Sequence, residues 1–547
     1  MKSHHQTRRY KRHVKKGSVA VKKERPIRKR LLTYGLYGRF FTICFFIVLQ
    51  FFLLIKLDAF LDSLLVNNFI NWTTVVSVLF IIYLVNTDIK PEFKLAWMVP
   101  VTLFPLFGII LYLFFTINVG GIGLRKKLAK TTLTLKANLS PDAQAIGFTA
   151  YLQNSGGFPA YTNSQVAYFP CGEQAFKDML VEVKKAKHFI FIEYFIIGLG
   201  CMWDALLAIL KEKAAQGVEI RVMYDGIGSI MLLPPGYPDY LESLGIQAKT
   251  YAPLVPLLST HQNNRDHRKI FVIDGRVAYT GGINLSDEYI NAKNRFGYWK
   301  DTCVRIDGSA VKNLTALFLQ LWNVQKQSDR DWQPYIQASH ISSSDREQLL
   351  KDKKQTAVSG IMSYFGGTIV PYGDDALSGE SIAELVYCDM VNRAQRYVHI
   401  TTPYIILNHM LATALIYAAK RGVEVSILVP SRADHKLTFC IGRTFIKDLI
   451  DNGVSVAEYV PGFIHAKMFV VDDVRAVVGS INLDYRSLCH HFECAVYIEN
   501  SAVISDIERD FNRTRTECHE ITSENYKKIP AYKRFAGRVA RMFAPLL

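Results

Sequence analysis

Two short segments of the chain carry the same reactive residue types at the same spacing. Residues 267–285 read HRKIFVIDGRVAYTGGINL and residues 465–483 read HAKMFVVDDVRAVVGSINL; aligned without gaps, 10 of 19 positions are identical. In each, a His and a Lys stand two residues apart at the head of an apolar, strand-like run. Side chains alternate across a strand, so His267 and Lys269 share one face, as do His465 and Lys467. Two imidazole–ammonium pairs suit exchange at a phosphodiester. One imidazole can attack phosphorus. The other can protonate the leaving alkoxide and then deprotonate the incoming alcohol. The lysines offset charge on the non-bridging oxygens, the task Mg²⁺ performs elsewhere. The constellation contains no metal-binding cluster and calls for no cofactor. Asn284 and Asn482 hold the same offset in each copy and can donate further hydrogen bonds to a phosphate. Asp274 and Asp472 each follow an apolar strand at a turn, where Asp commonly accepts local hydrogen bonds, so turn structure and phosphate contact are both open for them. One such motif alone is weak evidence; two, each followed by the same Gly and Asn, are specific.

The elements around the motifs repeat as well. Apolar runs such as HFIFIEYFII and YVHITTPYII have the character of buried strands, and alternate with helical stretches such as WDALLAILKEKAAQ and MLATALIYAAKR. In both halves a helix ends in Gly-Val-Glu (217–219 and 422–424) before another apolar strand. A duplication explains this order and predicts two similar lobes related by an approximate two-fold axis, which brings the two His-Lys faces together.

The region before the lobes is of another kind. Residues 1–30 contain thirteen Lys or Arg against one acid, Glu24, and so supply +12 of the chain's formal +17. Three apolar stretches follow, at about Leu36–Ile55, Phe69–Val85 (weakened by Asn71) and Ala96–Thr116. The first and third are long enough to cross a hydrocarbon core of about 30 Å. A basic tail beside such stretches reads as a tether to anionic lipid headgroups and a positive-inside signal, rather than as a nucleic-acid site. The basic run Arg125–Lys136 favours the cytoplasmic side too, and both can lie there only after an even number of crossings. One stretch therefore does not span: the short second, or the third, which Pro100 and Pro105 can make re-entrant. Nine cysteines without a CxxC pair point away from a disulfide framework and toward a reducing, cytosol-facing domain. Near the end of the chain Phe535, Val539, Met542 and Leu546 fall at helical spacing among Lys533, Arg534, Arg538 and Arg541, the pattern of a basic amphipathic helix on a membrane surface or packed on the lobes.

The paired motifs resemble the HKD motif of the phospholipase D superfamily, and the wider chain resembles its cardiolipin synthase branch. Similar stretches include FIEYFIIGLG, GVEIRVMYDGIGS, YWKDTCVRIDG, ITTPYII, YVPGFIHAKMFVVDD, VGSINLDYRSL and the terminal Pro-Leu-Leu. The resemblance spans about residues 90–547; the basic tail and first apolar stretch exceed the usual two-span region. It implies an α/β fold of two pseudo-two-fold-related phospholipase D-type lobes, each a mixed sheet flanked by helices, preceded by N-terminal transmembrane helices. The expected segments are a basic tail (1–31), a transmembrane region (32–117), a linker (118–165), the two lobes (166–335 and 366–516) with a connector between them (336–365), and a basic amphipathic end (517–547).

It also implies one active site made by both His-Lys pairs. The reaction expected is phosphatidyl transfer between two phosphatidylglycerol molecules, giving cardiolipin and glycerol through a phosphatidyl-histidine, with no nucleotide or metal. By analogy His267 is the nucleophile and His465 the general acid and base, the exchanged assignment remaining open. Asp301 (YWKDTCV) and Glu493 (HFECAV) match the family's acidic residues that orient the imidazoles. The implied partners are phosphatidylglycerol, anionic lipids and the membrane, with no nucleic acid. The expected place is the cell membrane, multi-pass, with the catalytic part facing the cytoplasm. A phospholipase D hydrolase, a phosphatidylserine synthase-type transferase and a non-enzymatic membrane scaffold are the alternatives.

Overall fold

The computed structural model describes residues 63–116, 119–253, 264–325, 331–337 and 361–546. The basic tail and the first apolar stretch lie outside the described residues. The chain forms two compact units: a larger one of Leu124–Pro253 and Asn264–Gly537, and a smaller one that takes in the described residues up to Gly123 and from Arg538 onward.

The larger unit holds two eight-stranded sheets. In chain order the strands are β1 (Ser164–Phe169), β2 (Phe189–Tyr194), β3 (Glu219–Asp225), β4 (Gln247–Tyr251), β5 (Lys269–Ile273), β6 (Val277–Gly281), β7 (Tyr298–Lys300), β8 (Cys303–Gly308) and β9 (Ser363–Phe365). They continue as β10 (Thr368–Asp374), β11 (Tyr397–Thr401), β12 (Glu424–Pro430), β13 (Ser455–Tyr459), β14 (Gly462–Ile464), β15 (Met468–Val471), β16 (Arg475–Gly479), β17 (Glu493–Glu499) and β18 (Cys518–Glu520). The first sheet runs β4-β3-β2-β5-β6-β8-β1-β9 and the second β10-β17-β16-β15-β11-β12-β13-β18. Seven of these strands correspond one to one: β4-β3-β2-β5-β6-β8-β1 matches β13-β12-β11-β15-β16-β17-β10. The parallel pairs β2/β3 and β11/β12 and the antiparallel pairs β5/β6 and β15/β16 recur in both. The duplicated sequence thus folds into duplicated topology.

Two glycines show why the Gly-Val-Glu signal recurs. Helices Cys201–Ala215 and His409–Lys420 stop at Gly217 (φ 87°) and Gly422 (φ 89°), a left-handed backbone that favours glycine, and the Glu two residues on opens β3 or β12. Helices Val311–Gln325 and Val503–Arg515 each touch strands of both sheets and tie the lobes into one body. The edges differ from the expected segments: β9 comes from the connector yet joins the first sheet, β18 comes from the C-terminal segment yet joins the second, and the linker contains helix Val119–Asn138.

The smaller unit is helical. The second apolar stretch lies in helix Ser63–Val85, and the third divides into helices Pro91–Leu103 and Pro105–Thr116. Among the described residues no helix is long and apolar enough to cross a membrane. The third stretch, long enough in sequence for a single span, is broken into two helices. The reason is local: proline at 105 has no N–H to continue the helical ladder, and the helix ends before it. All eight cysteines among the described residues are free thiols.

Candidate active site

His267 and His465 stand at corresponding places, each just before its lobe's central hairpin (β5/β6 and β15/β16). Both are buried, at 7 % and 8 % exposure, with Lys269 and Lys467 buried beside them. Each histidine is held by the opposite lobe. The Nδ1–H of His267 donates to the Glu493 carboxylate (2.8 and 2.9 Å), and the Nδ1–H of His465 donates to Asp301 (2.6 Å). A carboxylate on Nδ1 fixes the tautomer and leaves Nε2 for chemistry.

The backbone imposes this exchange. The strand leading to His267 bridges the segment before Glu493: His267 N–H donates to Phe492 O (2.9 Å) and Phe492 N–H to Arg265 O (2.8 Å). Symmetrically, β14, which ends at Ile464, pairs in parallel with β7, which ends at Lys300, and His465 N–H donates to Lys300 O (2.7 Å). The residue after each pairing is a histidine on one side and a carboxylate on the other. The two-fold relation thus converts a repeated His-x-Lys into two reciprocal His–carboxylate contacts.

The ammonium groups are tied down as well. Lys269 Nζ donates to His267 O (2.5 Å) and lies 5.6 Å from the Phe195 ring centroid. Lys467 Nζ donates to His465 O and sits 2.8 Å from His465 Nδ1. Burial pushes Lys269 down to about 8 and Lys467 down to about 7, although Glu493 and Asp301 pull the other way. Burial, followed by Lys467, lowers His465 to about 4; burial, followed by Lys269 and Lys467, moves His267 well below the usual imidazole range. Each histidine feels the lysines of both motifs, so the two pairs share one electrostatic site.

The remaining expected residues divide. Asp274 and Asp472 do not join the site. Each sits at the far end of its motif strand in left-handed backbone (φ 52° and 55°). Asp274 accepts from the N–H groups of Lys187, His188 and Phe189, all at 2.8 Å; Asp472 accepts from those of Gln395, Arg396 and Tyr397 at 2.7–2.9 Å. Each is committed to three backbone donors and stands a strand's length from the histidine of its own motif, an anchoring placement, the local-hydrogen-bond reading left open for them. Asn284 is also committed, accepting from Ile196 N–H (3.1 Å) and donating to Tyr289 OH (2.8 Å). Asn482 is buried, and its amide oxygen has no hydrogen-bond partner.

Several neighbours were not singled out in the sequence. Ser480 Oγ donates to Glu493, and its counterpart Gly282 lies against Asp301, where a Cβ would strike the carboxylate. The gapless alignment already places these two opposite each other. Tyr289, Trp299 and Phe463 surround His465, with ring centroids 5.5, 5.4 and 6.1 Å away. A third imidazole, His491, stands 5.5 Å from the His267 ring, held down to about 3 by burial, with Nδ1 3.7 Å from Glu493. Its signal was its place two residues before Glu493. The donor atoms of His267, His491 and Glu493 lie within 4.8 Å of one another. That set can reach a cation, but Glu493 is already engaged by His267 and Ser480.

Two α/β lobes sharing one buried site of paired histidines and lysines define a phospholipase D-type protein. Residues 179–322 and 387–515 match the family described as "Cardiolipin synthase, PLD-like domain", and residues 75–115 match "Phospholipase_D-nuclease N-terminal". The chain is 32 % identical over 488 residues to a cardiolipin synthase of Geobacillus kaustophilus, covering 86 % of this chain and 92 % of that one. It is 30 % identical to cardiolipin synthase 1 of Staphylococcus aureus strain COL (83 % and 91 % covered), and 40 % identical to an uncharacterized protein of Streptococcus mutans (85 % and 99 %). The crystal structure of phosphatidylserine synthase from Haemophilus influenzae shares the fold, with TM-score 0.53 at 14 % identity over 74 % of this chain and all of that one. The chain belongs to the cardiolipin synthase family, enzymes of the phospholipase D superfamily.

Proposed function

We propose that the protein transfers a phosphatidyl group from one phosphatidylglycerol to the terminal glycerol hydroxyl of another, yielding cardiolipin and free glycerol. His267 Nε2 attacks phosphorus; a P–N bond forms, the P–O bond to the headgroup glycerol breaks, and His465, favoured as imidazolium by Asp301 and by the bound phosphate anion, gives the leaving alkoxide its Nε2 proton. His465 then takes the proton of the incoming hydroxyl, whose oxygen attacks phosphorus and breaks the P–N bond. Lys269 and Lys467 neutralise the non-bridging oxygens, and Glu493 and Asp301 hold the imidazoles in register. The reading is carried by one observation: two buried imidazoles, each oriented by a carboxylate of the opposite lobe and flanked by a lysine.

Both lipids come from a two-dimensional pool, so membrane attachment belongs to the function. The basic tail and the first two apolar stretches hold the enzyme at the cell membrane, with the catalytic unit on the cytoplasmic side.

The test is lipid mass spectrometry after the purified full-length chain meets phosphatidylglycerol vesicles, with and without EDTA. Cardiolipin and glycerol in about equal amounts, insensitive to chelation, are expected. Phosphatidic acid as the main product would make the enzyme a hydrolase instead.

A further inference from the structure

The third apolar stretch is folded back on itself. Trp97 and Tyr112 meet edge to face with ring centroids 5.5 Å apart, and Trp97 lies 5.8 Å from Phe115. In one straight helix, residues 97 and 112 would be about 22 Å apart along the axis. The two helices instead form a tight hairpin. A Cβ on Gly108 would come within 2.5 Å of Pro100 O and 2.6 Å of Val101 Cα, so glycine is required where the arms touch.

The turn is chemically prepared. In a continuous helix the Val101 carbonyl would accept from residue 105, which is proline and has no N–H. Ser77 of helix Ser63–Val85 supplies the missing donor: its buried hydroxyl donates to Val101 O at 3.1 Å. Phe104, between the arms, donates its N–H to Pro100 O (2.9 Å) and accepts at its carbonyl from Gly108 N–H (2.6 Å). Such satisfaction is what a break inside hydrocarbon demands.

The surface of the hairpin is equally specific. Leu95, Leu103, Leu106, Ile110 and Leu113 are each at least 40 % exposed, Leu103 at the turn reaching 65 %. From Leu95 through Leu124 the sequence has no Asp, Glu, Lys or Arg, whereas charges crowd both flanks, with Lys90, Glu92 and Lys94 before it and Arg125–Lys127 after. An uncharged apolar body with charged residues at both ends suits a lipid leaflet. Each arm, of 13 or 12 residues, is about 18–20 Å long, against about 30 Å for the whole hydrocarbon core.

We propose that residues 91–116 are a re-entrant hairpin that enters and leaves the bilayer on one face, its Leu103–Leu106 turn buried in lipid. This rests on the membrane attachment proposed above and gives it a definite topology. The third stretch then contributes no crossing, and the segment before Lys94 and the basic run Arg125–Lys136 lie on the same side of the bilayer.

Two measurements on the active full-length chain test it, with native cysteines replaced. Thr87→Cys and Asn118→Cys flank the hairpin, and an impermeant maleimide applied to sealed vesicles of known orientation should reach both from the same side. The pair Trp97→Cys/Tyr112→Cys should be bridged by a short bifunctional maleimide, which cannot span the same positions in one straight helix. Labelling of 87 and 118 from opposite faces, or absence of the 97–112 cross-link in a chain that still makes cardiolipin, overturns the hairpin. Failure of the unaltered protein to float with liposomes would instead overturn the membrane reading itself.

Discussion

The two halves of the active site are built from one repeat yet are not equivalent. Around His267 the carboxylate is the longer Glu493, braced by Ser480, with His491 and Phe195 alongside. Around His465 the carboxylate is the shorter Asp301, pressed against Gly282, with Tyr289, Trp299 and Phe463 around the ring. Lys467 lies against His465 Nδ1, whereas Lys269 reaches only the backbone oxygen of His267. One amide, Asn284, is consumed in holding loops; the oxygen of the other, Asn482, is unpartnered. The reaction proposed above needs two imidazoles doing different work, and the sequence differences within the repeat supply two environments on one scaffold.

The sharpest way to break this comparison is to remove each histidine. His267→Ala and His465→Ala should each lower turnover by at least roughly 10³-fold, because a nucleophile or an acid–base group is lost. They should differ in one readout. With a substrate whose leaving group needs no protonation, His465→Ala should accumulate a phosphatidyl-enzyme visible by intact mass, and His267→Ala should not. The opposite pattern would exchange the roles.

The lysines give the next effect. Lys269→Met and Lys467→Met should each cost on the order of 10²-fold or more in kcat/KM, the scale of losing one preorganised charge donor. Only the ammonium form neutralises phosphate, and it is lost as pH rises through about 7 for Lys467 and about 8 for Lys269. The kcat/KM for phosphatidylglycerol should therefore fall across that window. Lys467→Arg, which keeps its charge, should carry the alkaline limb upward; an unmoved limb would assign it to another group.

Exchanging the carboxylate supports probes the asymmetry more gently. Gly282→Ser places a side chain against Asp301 and should cut kcat by about 10²-fold through a displaced His465. Ser480→Gly removes a single brace from Glu493 and should cost about tenfold, of the order of one hydrogen bond to a charged group. Equal effects would mean the half-sites are interchangeable.

The smallest catalytic effect belongs to the aspartates that close the motifs. Asp274→Ala and Asp472→Ala each leave three backbone N–H groups without an acceptor. A stability loss of about 1–3 kcal/mol is expected for each, with kcat nearly unchanged. Thermal unfolding beside turnover at a temperature well below the transition checks this.

The sequence by itself determined which residues are candidates for chemistry, and their duplication. His267, Lys269, His465 and Lys467 are legible because alternation along a strand is a local rule, and a gapless repeat needs no coordinates to be seen. The Gly-Val-Glu helix ends are legible for the same reason: a left-handed residue is a local demand that glycine meets. What only the tertiary structure decided is everything that depends on contacts between distant segments. Glu493 lies 226 positions from His267 and Asp301 lies 164 from His465, and only the crossed pairing of strand ends makes each a partner of the other lobe's ring. Asp274 and Asp472 carry the motif's spacing but face the far turn, because a strand separates its two ends however close they stand in the sequence. The apolar run Ala96–Thr116 has the length of a membrane span. A proline without an N–H, a glycine at the crossing and a serine from the preceding helix together fold it in half.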